Sequence, residues 1–135
     1  MIELTVKADT DELERLLDIV EEQLNAFDCP MKVVLQVKIA FEEIFVNIAH
    51  YAFGEQEGYC HIKLDCDSNH VEIEFKDNGI AFDPLAKADP DITLKAEERE
   101  IGGLGIFMVK KSMDDVRYEY LDGYNVLTIK KNYFL

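Results

Sequence analysis

The stretch FEEIFVNIAHYAF, residues 41–53, decides the fold because it combines the repeat of a long helix with two polar side chains on one flank. Ile44 and Ile48 belong to an apolar series at the three- and four-residue spacing of a helix face. Glu43 and Asn47 stand four residues apart, so both project from the same side of that helix. The stretch therefore predicts a helix that packs on a sheet and presents a carboxylate and a carboxamide together.

The segments before this stretch predict a strand and a first helix. Residues 2–7 alternate apolar and polar side chains, which is typical of a half-buried strand. Asp9 opens a capping-box-like start to a helix that we expect to end near Asp28. We expect that helix to bury this stripe: Leu13, Leu16, Leu17, Val20, Leu24 and Phe27. Pro30 suits the first turn of the second helix, which should stop at Gly54 and be mostly covered.

The segments after residue 53 predict four strands, a long loop and a third helix. Alternating runs predict strands at Tyr59–Cys66, Val71–Asp77, Val116–Tyr120 and Asn125–Lys130. Residues 80–101 lack periodicity and predict a lid-like loop, with a short helical turn around 94–99. A third helix is expected at Ile106–Met113. Short turns between consecutive strands favour an α+β fold, a two-layer α/β sandwich with a mostly antiparallel sheet and helices on one face. We expect residues 1–135 to form it as a single domain.

The composition narrows the function classes. A formal net charge of -14 argues against sequence-independent binding of nucleic acid, which needs clustered basic residues. The same acidity would repel a free nucleotide, so a bound one should come with a divalent cation and be held by backbone N–H groups. No apolar run approaches the roughly 20 residues that cross a bilayer, and no secretion signal opens the chain, so we expect a cytoplasmic protein.

The three cysteines predict reduced, mostly buried thiols rather than a metal or redox site. Cys29, Cys60 and Cys66 are odd in number and show no C-x-x-C spacing. Cys60 and Cys66 fall in phase with Ile62 and Leu64, so we expect all four on the inward face of one strand.

Three short motifs carry candidate chemistry, and each has an ordinary structural alternative. Glu43 and Asn47 can act as a general base and a Mg²⁺ ligand, or form a solvated pair on a helix surface. Asp77 can accept a hydrogen bond from an exocyclic amine beside Gly79, although such residues also form plain strand-ending turns. The glycine-rich run 102–105 at a helix start offers N–H groups and a helix dipole to phosphate oxygens. No P-loop, dinucleotide fingerprint, serine-hydrolase motif or zinc-ligand spacing is present in the sequence.

In their order along the chain, these motifs resemble a known family. The order is E-x-x-x-N on a helix, D-x-G after a strand, a long loop, and G-G-L-G-I opening a helix. This order resembles the Bergerat ATP-binding fold of GHKL, or histidine kinase-like, ATPases, and within it the anti-sigma factor serine kinases. The resemblance covers nearly the whole chain. It implies a kinase that uses ATP and Mg²⁺ to phosphorylate a serine on an anti-anti-sigma antagonist protein. In its other state such a protein binds a sigma factor or another target. The resemblance also implies a homodimer.

The resemblance also implies roles for single residues. Glu43 would activate the attacking serine hydroxyl or a water, and Asn47 would bind the Mg²⁺ that bridges the phosphates. Asp77 would hydrogen-bond the adenine amine, and Gly79 would line the adenine pocket. The remaining implied cofactor-binding residues are Gly102, Gly103, Leu104 and Gly105 at the phosphates, with Arg99 touching the γ-phosphate or a partner.

One departure from the family pattern and two other interpretations stay open. Related ATPases place a threonine near the adenine on the C-terminal strand, where this chain offers Asn125 and Thr128. The chain is alternatively a non-catalytic module in which ATP orders residues 80–101 and so gates a protein-binding surface. A nucleotide-free α/β interaction domain is the third interpretation, and it requires the ordered motifs to be coincidental.

Overall fold

The computed structural model describes residues 1–54, 56–85 and 103–134. In chain order the elements are β1 (Ile2–Lys7), a 3₁₀ turn (Thr10–Glu12), α1 (Leu13–Ala26), α2 (Met31–Tyr51), β2 (Tyr59–Cys66), β3 (His70–Asp77), α3 (Gly103–Ser112), β4 (Asp115–Leu121) and β5 (Tyr124–Asn132). The predicted order of strands and helices is confirmed. Most boundaries agree within two residues, and α3 begins three residues earlier than expected.

The strands form a five-stranded sheet in the order β1-β2-β3-β5-β4, and each neighbouring pair is antiparallel. The strand that comes last in the chain, β5, therefore lies inside the sheet, with β3 on one side and β4 on the other. Its register sets Asn125 opposite Asp77. The predicted α+β class with a mostly antiparallel sheet is confirmed.

The core lies between the sheet and the helices. Alternate residues of β2, β3 and β5 point inward, and their partners come mainly from α1 and α2. The largest fully buried side chains are Phe41, Phe45, Phe75, Leu16, Leu24, Ile44, Ile62, Ile73 and Ile129. The rings of Phe41 and Phe75 lie 5.0 Å apart, which joins α2 to β3 through an aromatic contact.

The cysteine prediction agrees with the structure. All three thiols are free, with Cys29 and Cys60 buried and Cys66 half-buried against the core. Burial raises the pKa of Cys29 to about 11, with a smaller contribution from nearby Cys66. Protonated thiols of this kind pack as small apolar side chains.

Two predictions of burial are wrong in part. Phe27, expected in the buried stripe, is 37% exposed because α1 ends at Ala26 and the chain turns through Asp28, whose φ is 57°. The expectation that α2 is mostly covered holds for its sheet side only. Its opposite side exposes Met31, Leu35 and Ile39, because no other described element lies over it.

The predicted lid falls mostly beyond the described ranges. Residues 80–85 are described, whereas 86–101, which include the expected helical turn at 94–99, lie outside them. Within the part of the chain that the structure describes, no helix combines the length and apolar character needed to cross a membrane.

Candidate functional site

A cavity lies where the C-terminal half of α2 faces the ends of β3 and β5 and the start of α3. It holds about 480 Å³ of space, part of which is open to solvent. Its walls are mainly apolar and include Ile44, Ile48, Tyr51, Ala52, Phe75, Ile80, Phe82, Pro84, Ile106 and Leu127. Its polar lining consists of Asn47, Asp77, Tyr118 and Asn125. An apolar cleft with a few convergent polar groups is the usual form of a small-molecule site.

Asn125 is the centre of a buried polar network at one end of this cavity. Its Nδ2 donates to Asp77 Oδ1 and to the Ile80 carbonyl, each at 3.0 Å. Its Oδ1 accepts from the Phe82 N–H at 3.1 Å and from the Tyr118 hydroxyl. All four hydrogen-bonding positions of the carboxamide are therefore used, which fixes its orientation.

Asp77 is held in place on one oxygen and lines the cavity. The residue is 4% exposed, and its Oδ1 accepts from Asn125 and, at 2.9 Å, from the Gly79 N–H. Among the described residues no donor reaches its Oδ2. A fixed carboxylate with one free oxygen beside apolar walls is suited to accept a hydrogen bond from an amine in a flat, apolar ring.

Burial raises the pKa of the Tyr118 hydroxyl, and the charges of Asp83 and Asp77 raise it further. The phenol therefore stays protonated at neutral pH and donates to Asn125. Sequence reasoning did not identify Tyr118, because β4 shows only an alternating pattern and nothing in that pattern marks one tyrosine as facing a cavity.

Gly79 is required by a close approach of backbone rather than by an unusual dihedral angle. A Cβ on this residue would lie 2.3 Å from the Ala52 carbonyl oxygen, well inside van der Waals contact. The same carbonyl accepts a hydrogen bond from the Ile80 N–H at 2.7 Å. The end of α2 is thereby fastened to the segment that leaves β3, and both line the cavity.

Glu43 lies against the first turn of α3. A Cβ on Gly105 would be 1.8 Å from Glu43 Oε1, so the carboxylate occupies the space that a side chain would fill. Helix N-termini carry unpaired N–H groups and a partial positive charge, which favour a negative group there. Asn47, one turn further along α2, lines the cavity itself. The two residues thus stand between the apolar cavity and a helix N-terminus.

The structure places the predicted site residues unequally. Asn47 and Asp77 line one cavity, Gly79 sits at its edge, and Glu43 meets Gly105 beside it. The remaining predicted residues are less completely described: Gly103 and Leu104 lie in the first turn of α3, and Arg99 and Gly102 lie outside the described residues.

Asn125 and Thr128, between which the sequence left a choice, point to opposite sides of the sheet. Asn125 shares the inward side of β5 with buried Leu127 and Ile129. Thr128 is offset by an odd number of residues and so points to the other side of the sheet. Only Asn125 lines the cavity.

Taken together, the antiparallel sheet with its helices on one side and the cavity beside the start of α3 define the class of protein. The family model of the histidine kinase-like ATPase domain matches residues 6–131, so the chain belongs to that family. Membership in a family of ATPase domains implies that the chain binds ATP. The resemblance inferred from the motifs is confirmed at this level.

Particular relatives carry the name serine-protein kinase RsbW. The one from Listeria monocytogenes serovar 1/2a is 33% identical over 99 residues, which cover 70% of this chain and 63% of the relative. The one from Bacillus cereus strain AH820 is 34% identical over 98 residues, which cover 70% and 61%. The chain thus spans less than two thirds of the length of these relatives.

A solved structure supports the fold. The crystal structure of the RsbU and RsbW domains of a Mycobacterium tuberculosis protein superposes with a TM-score of 0.62 at 12% identity. The match covers 97% of this chain and 32% of that one. At this identity the likeness bears on architecture alone.

Proposed function

We propose that this chain binds Mg-ATP and transfers the γ-phosphoryl group to a serine of an anti-anti-sigma antagonist protein, as the kinase in a partner-switching system. The observation that carries the proposal is the position of Glu43 and Asn47, one helical turn apart, between an apolar cavity and the first turn of α3. The name serine-protein kinase, borne by the relatives from Listeria and Bacillus, supports serine as the acceptor.

The cavity fits the adenine end of the nucleotide. Its apolar walls suit a flat heterocycle, and Asp77 with the Asn125 network supplies a fixed carboxylate to accept from the exocyclic amine. The adenine would then lie near Ile44 and Ile48, with the phosphates toward α3 and Glu43. Backbone N–H groups of the first turn of α3 would bind phosphate oxygens there, and Arg99 is the proposed contact to the γ-phosphate.

The donor set near the cavity fits Mg²⁺. Among the described residues no three His, Cys, Asp or Glu side chains cluster in a way that could hold a metal ion on their own. Mg²⁺ in nucleotide sites is usually held by one or two protein oxygens together with phosphates and water, and the Asn47 carboxamide can supply such an oxygen. When bound, the ion would neutralise phosphate charge, which matters in a chain of net charge -14.

Glu43 is proposed to accept the proton of the serine hydroxyl. The serine oxygen forms its bond to the γ-phosphorus as the bond from that phosphorus to the bridging oxygen of ADP breaks, so that phosphoserine and ADP result. Most of the rate in such a transfer comes from positioning and charge stabilisation, to which the first turn of α3 and Asn47 contribute. Because cells supply ATP in the cytoplasm, the proposed reaction belongs there, with the antagonist or a sigma factor as alternating partners.

Two matched pairs of variants test the proposal. Calorimetric titration with ATP, with and without Mg²⁺, should give Mg²⁺-dependent binding that Asn47→Ala weakens. Gln36→Ala should leave this binding unchanged, because Gln36 lies on the same helix but does not line the cavity. Absence of binding at millimolar ATP would contradict the nucleotide site.

Phosphotransfer is followed by the mass gain of a candidate antagonist protein. Glu43→Gln should retain ATP binding and lose at least about a hundredfold in rate, as is usual on removal of a general base. Glu42→Gln, its exposed neighbour, should transfer at the wild-type rate. Equal rates for the two variants would refute the role of Glu43. Tight ATP binding without transfer to any acceptor would favour the non-catalytic, ATP-gated module.

A further inference from the structure

The outer surface of the helix layer carries an apolar stripe beside an acidic one, away from the cavity. On α2, Met31, Leu35 and Ile39 follow one another at four-residue intervals and are 61%, 52% and 63% exposed. We call these three residues the α2 ridge. Eight residues of helix rise about 12 Å, so the ridge is two turns long. Isolated exposed apolar residues are common, but an aligned row is typical of a docking surface.

The acidic stripe lies on α1 and has the same length. Glu14, Asp18 and Glu22 also follow at four-residue intervals, and all three are exposed. None of them forms an ion pair with another described residue. Like charges at this spacing destabilise a helix slightly, so their alignment works against α1 unless something else compensates them.

The two stripes border the same groove but are offset along it, because α1 and α2 run antiparallel. The Glu21–Lys38 ion pair sets Glu22 near Ile39, so Glu14 and Met31 lie toward opposite ends of the groove. A four-residue turn joins α1 to α2, and an ion pair of 3.2 Å between Glu21 and Lys38 ties the helices side by side. Packed helix axes lie roughly 8–10 Å apart. Each helix buries its other side in the common core, so the α2 ridge and the acidic stripe border one shallow groove.

We propose that this groove is a docking site for an amphipathic helix of a partner protein that carries Lys or Arg along one edge. Its apolar face would cover the α2 ridge, and its basic edge would pair with Glu14, Asp18 and Glu22. Lys32, exposed at the start of α2, disfavours a cation at that end and so orients the partner. A second copy of this chain fits poorly, because each copy has a net charge of -14. This site lies apart from the nucleotide cavity and does not depend on the proposed kinase activity.

A designed peptide tests the docking site directly. The probe is a fluorescently labelled helix of about 18 residues, which is about 27 Å long and so spans both stripes, with Leu on one face and Lys along one edge. A second peptide keeps the Leu pattern and replaces each Lys by Glu. Fluorescence anisotropy with the full chain should show binding of the first peptide and at least about tenfold weaker binding of the second, because its charges meet the acidic stripe.

Matched variants separate docking from general attraction to an acidic protein. Leu35→Gln should weaken the Lys peptide about tenfold. Leu121→Gln, at a leucine of similar exposure (54%) at the end of β4, should leave it unchanged. Asp18→Asn should weaken binding about twofold to threefold at low salt, and Asp65→Asn, exposed on β2, should not.

The proposal is overturned by any of three results. These are equal affinity for the two peptides, equal weakening by Leu35→Gln and Leu121→Gln, and self-association of the chain that Leu35→Gln abolishes in sedimentation. The last result would assign the α2 ridge to a second copy.

Discussion

Replacing Asn125 by aspartate would set two carboxyl groups against each other in a buried place. Asn125 Nδ2 now donates to Asp77 Oδ1 at 3.0 Å, and the two residues are 7% and 4% exposed. Two ionised carboxylates at that distance would repel by more than about 5 kcal/mol at an effective dielectric constant of about 20. Binding one shared proton costs less free energy than this repulsion, as in other carboxyl pairs.

The cost of holding that proton follows from the ordinary pKa. The ordinary pKa of aspartate is about 3.9 and each pKa unit is worth about 1.4 kcal/mol, so a proton kept at pH 7 costs about 4 kcal/mol, and at pH 5 about 1.5 kcal/mol. In the folded variant the pKa of the pair is raised above its unfolded value. The folded state therefore binds more protons than the unfolded state, and its stability falls as pH rises, by about 1.4 kcal/mol per pH unit between pH 5 and 7.

The assay is urea unfolding of wild type and Asn125→Asp at pH 5, 6 and 7, followed by far-UV circular dichroism because the chain has no tryptophan. Asn125→Ala is the control. It removes the same hydrogen bonds without adding charge, so its deficit of about 2–4 kcal/mol should not vary with pH. A deficit of Asn125→Asp that is constant across this range, or below about 1 kcal/mol at pH 7, would refute the contact between Asn125 and Asp77.

Two further pairs of variants test the packing around the cavity by the same unfolding measurement. Gly79→Ala should lower the free energy of unfolding by about 2 kcal/mol, because the new Cβ overlaps the backbone at the end of α2. Gly105→Ala should lower it by less than about 1 kcal/mol, because the new Cβ displaces only the end of a flexible side chain, that of Glu43. Equal losses of stability would contradict this. Tyr133→Phe should leave stability unchanged or raise it, because its buried hydroxyl makes no well-formed hydrogen bond among the described residues and has only the thiol of Cys66, a weak acceptor, beside it. Tyr118→Phe should lower stability by about 1 kcal/mol through loss of the bond to Asn125. The reverse ranking would contradict this.

The sequence predicts the elements well because local periodicity determines them. The alternation in residues 2–7 and 59–66 and the apolar series on α2 each report a burial pattern that the structure repeats. Phe27 shows where this fails. It continues the spacing of the α1 stripe, but the helix has already ended, and periodicity does not record the left-handed turn at Asp28.

The sequence proposed site residues from local motifs on separate elements, but it did not show the contacts that join those elements. Glu43 and Asn47 follow from helical spacing. Asn125 requires knowledge that β5 inserts beside β3 in a register that pairs it with Asp77, and no local pattern fixes a contact across 48 positions. The Gly79 contact with Ala52 is likewise long-range.

The place of β5 inside the sheet has a consequence for synthesis on the ribosome. Chains emerge from the N-terminus at about 5–20 residues per second, so β1, β2 and β3 are free to pair before β5 exists. Until β5 emerges, β3 keeps an unpaired edge, and β4 has no described neighbour in the sheet. Asp77 also lacks its partner until then, because Asn125 arrives with β5. The nascent protein therefore acquires its cavity in a single late step, and any chain released before that step is left with an open sheet edge that chaperones and proteases recognise.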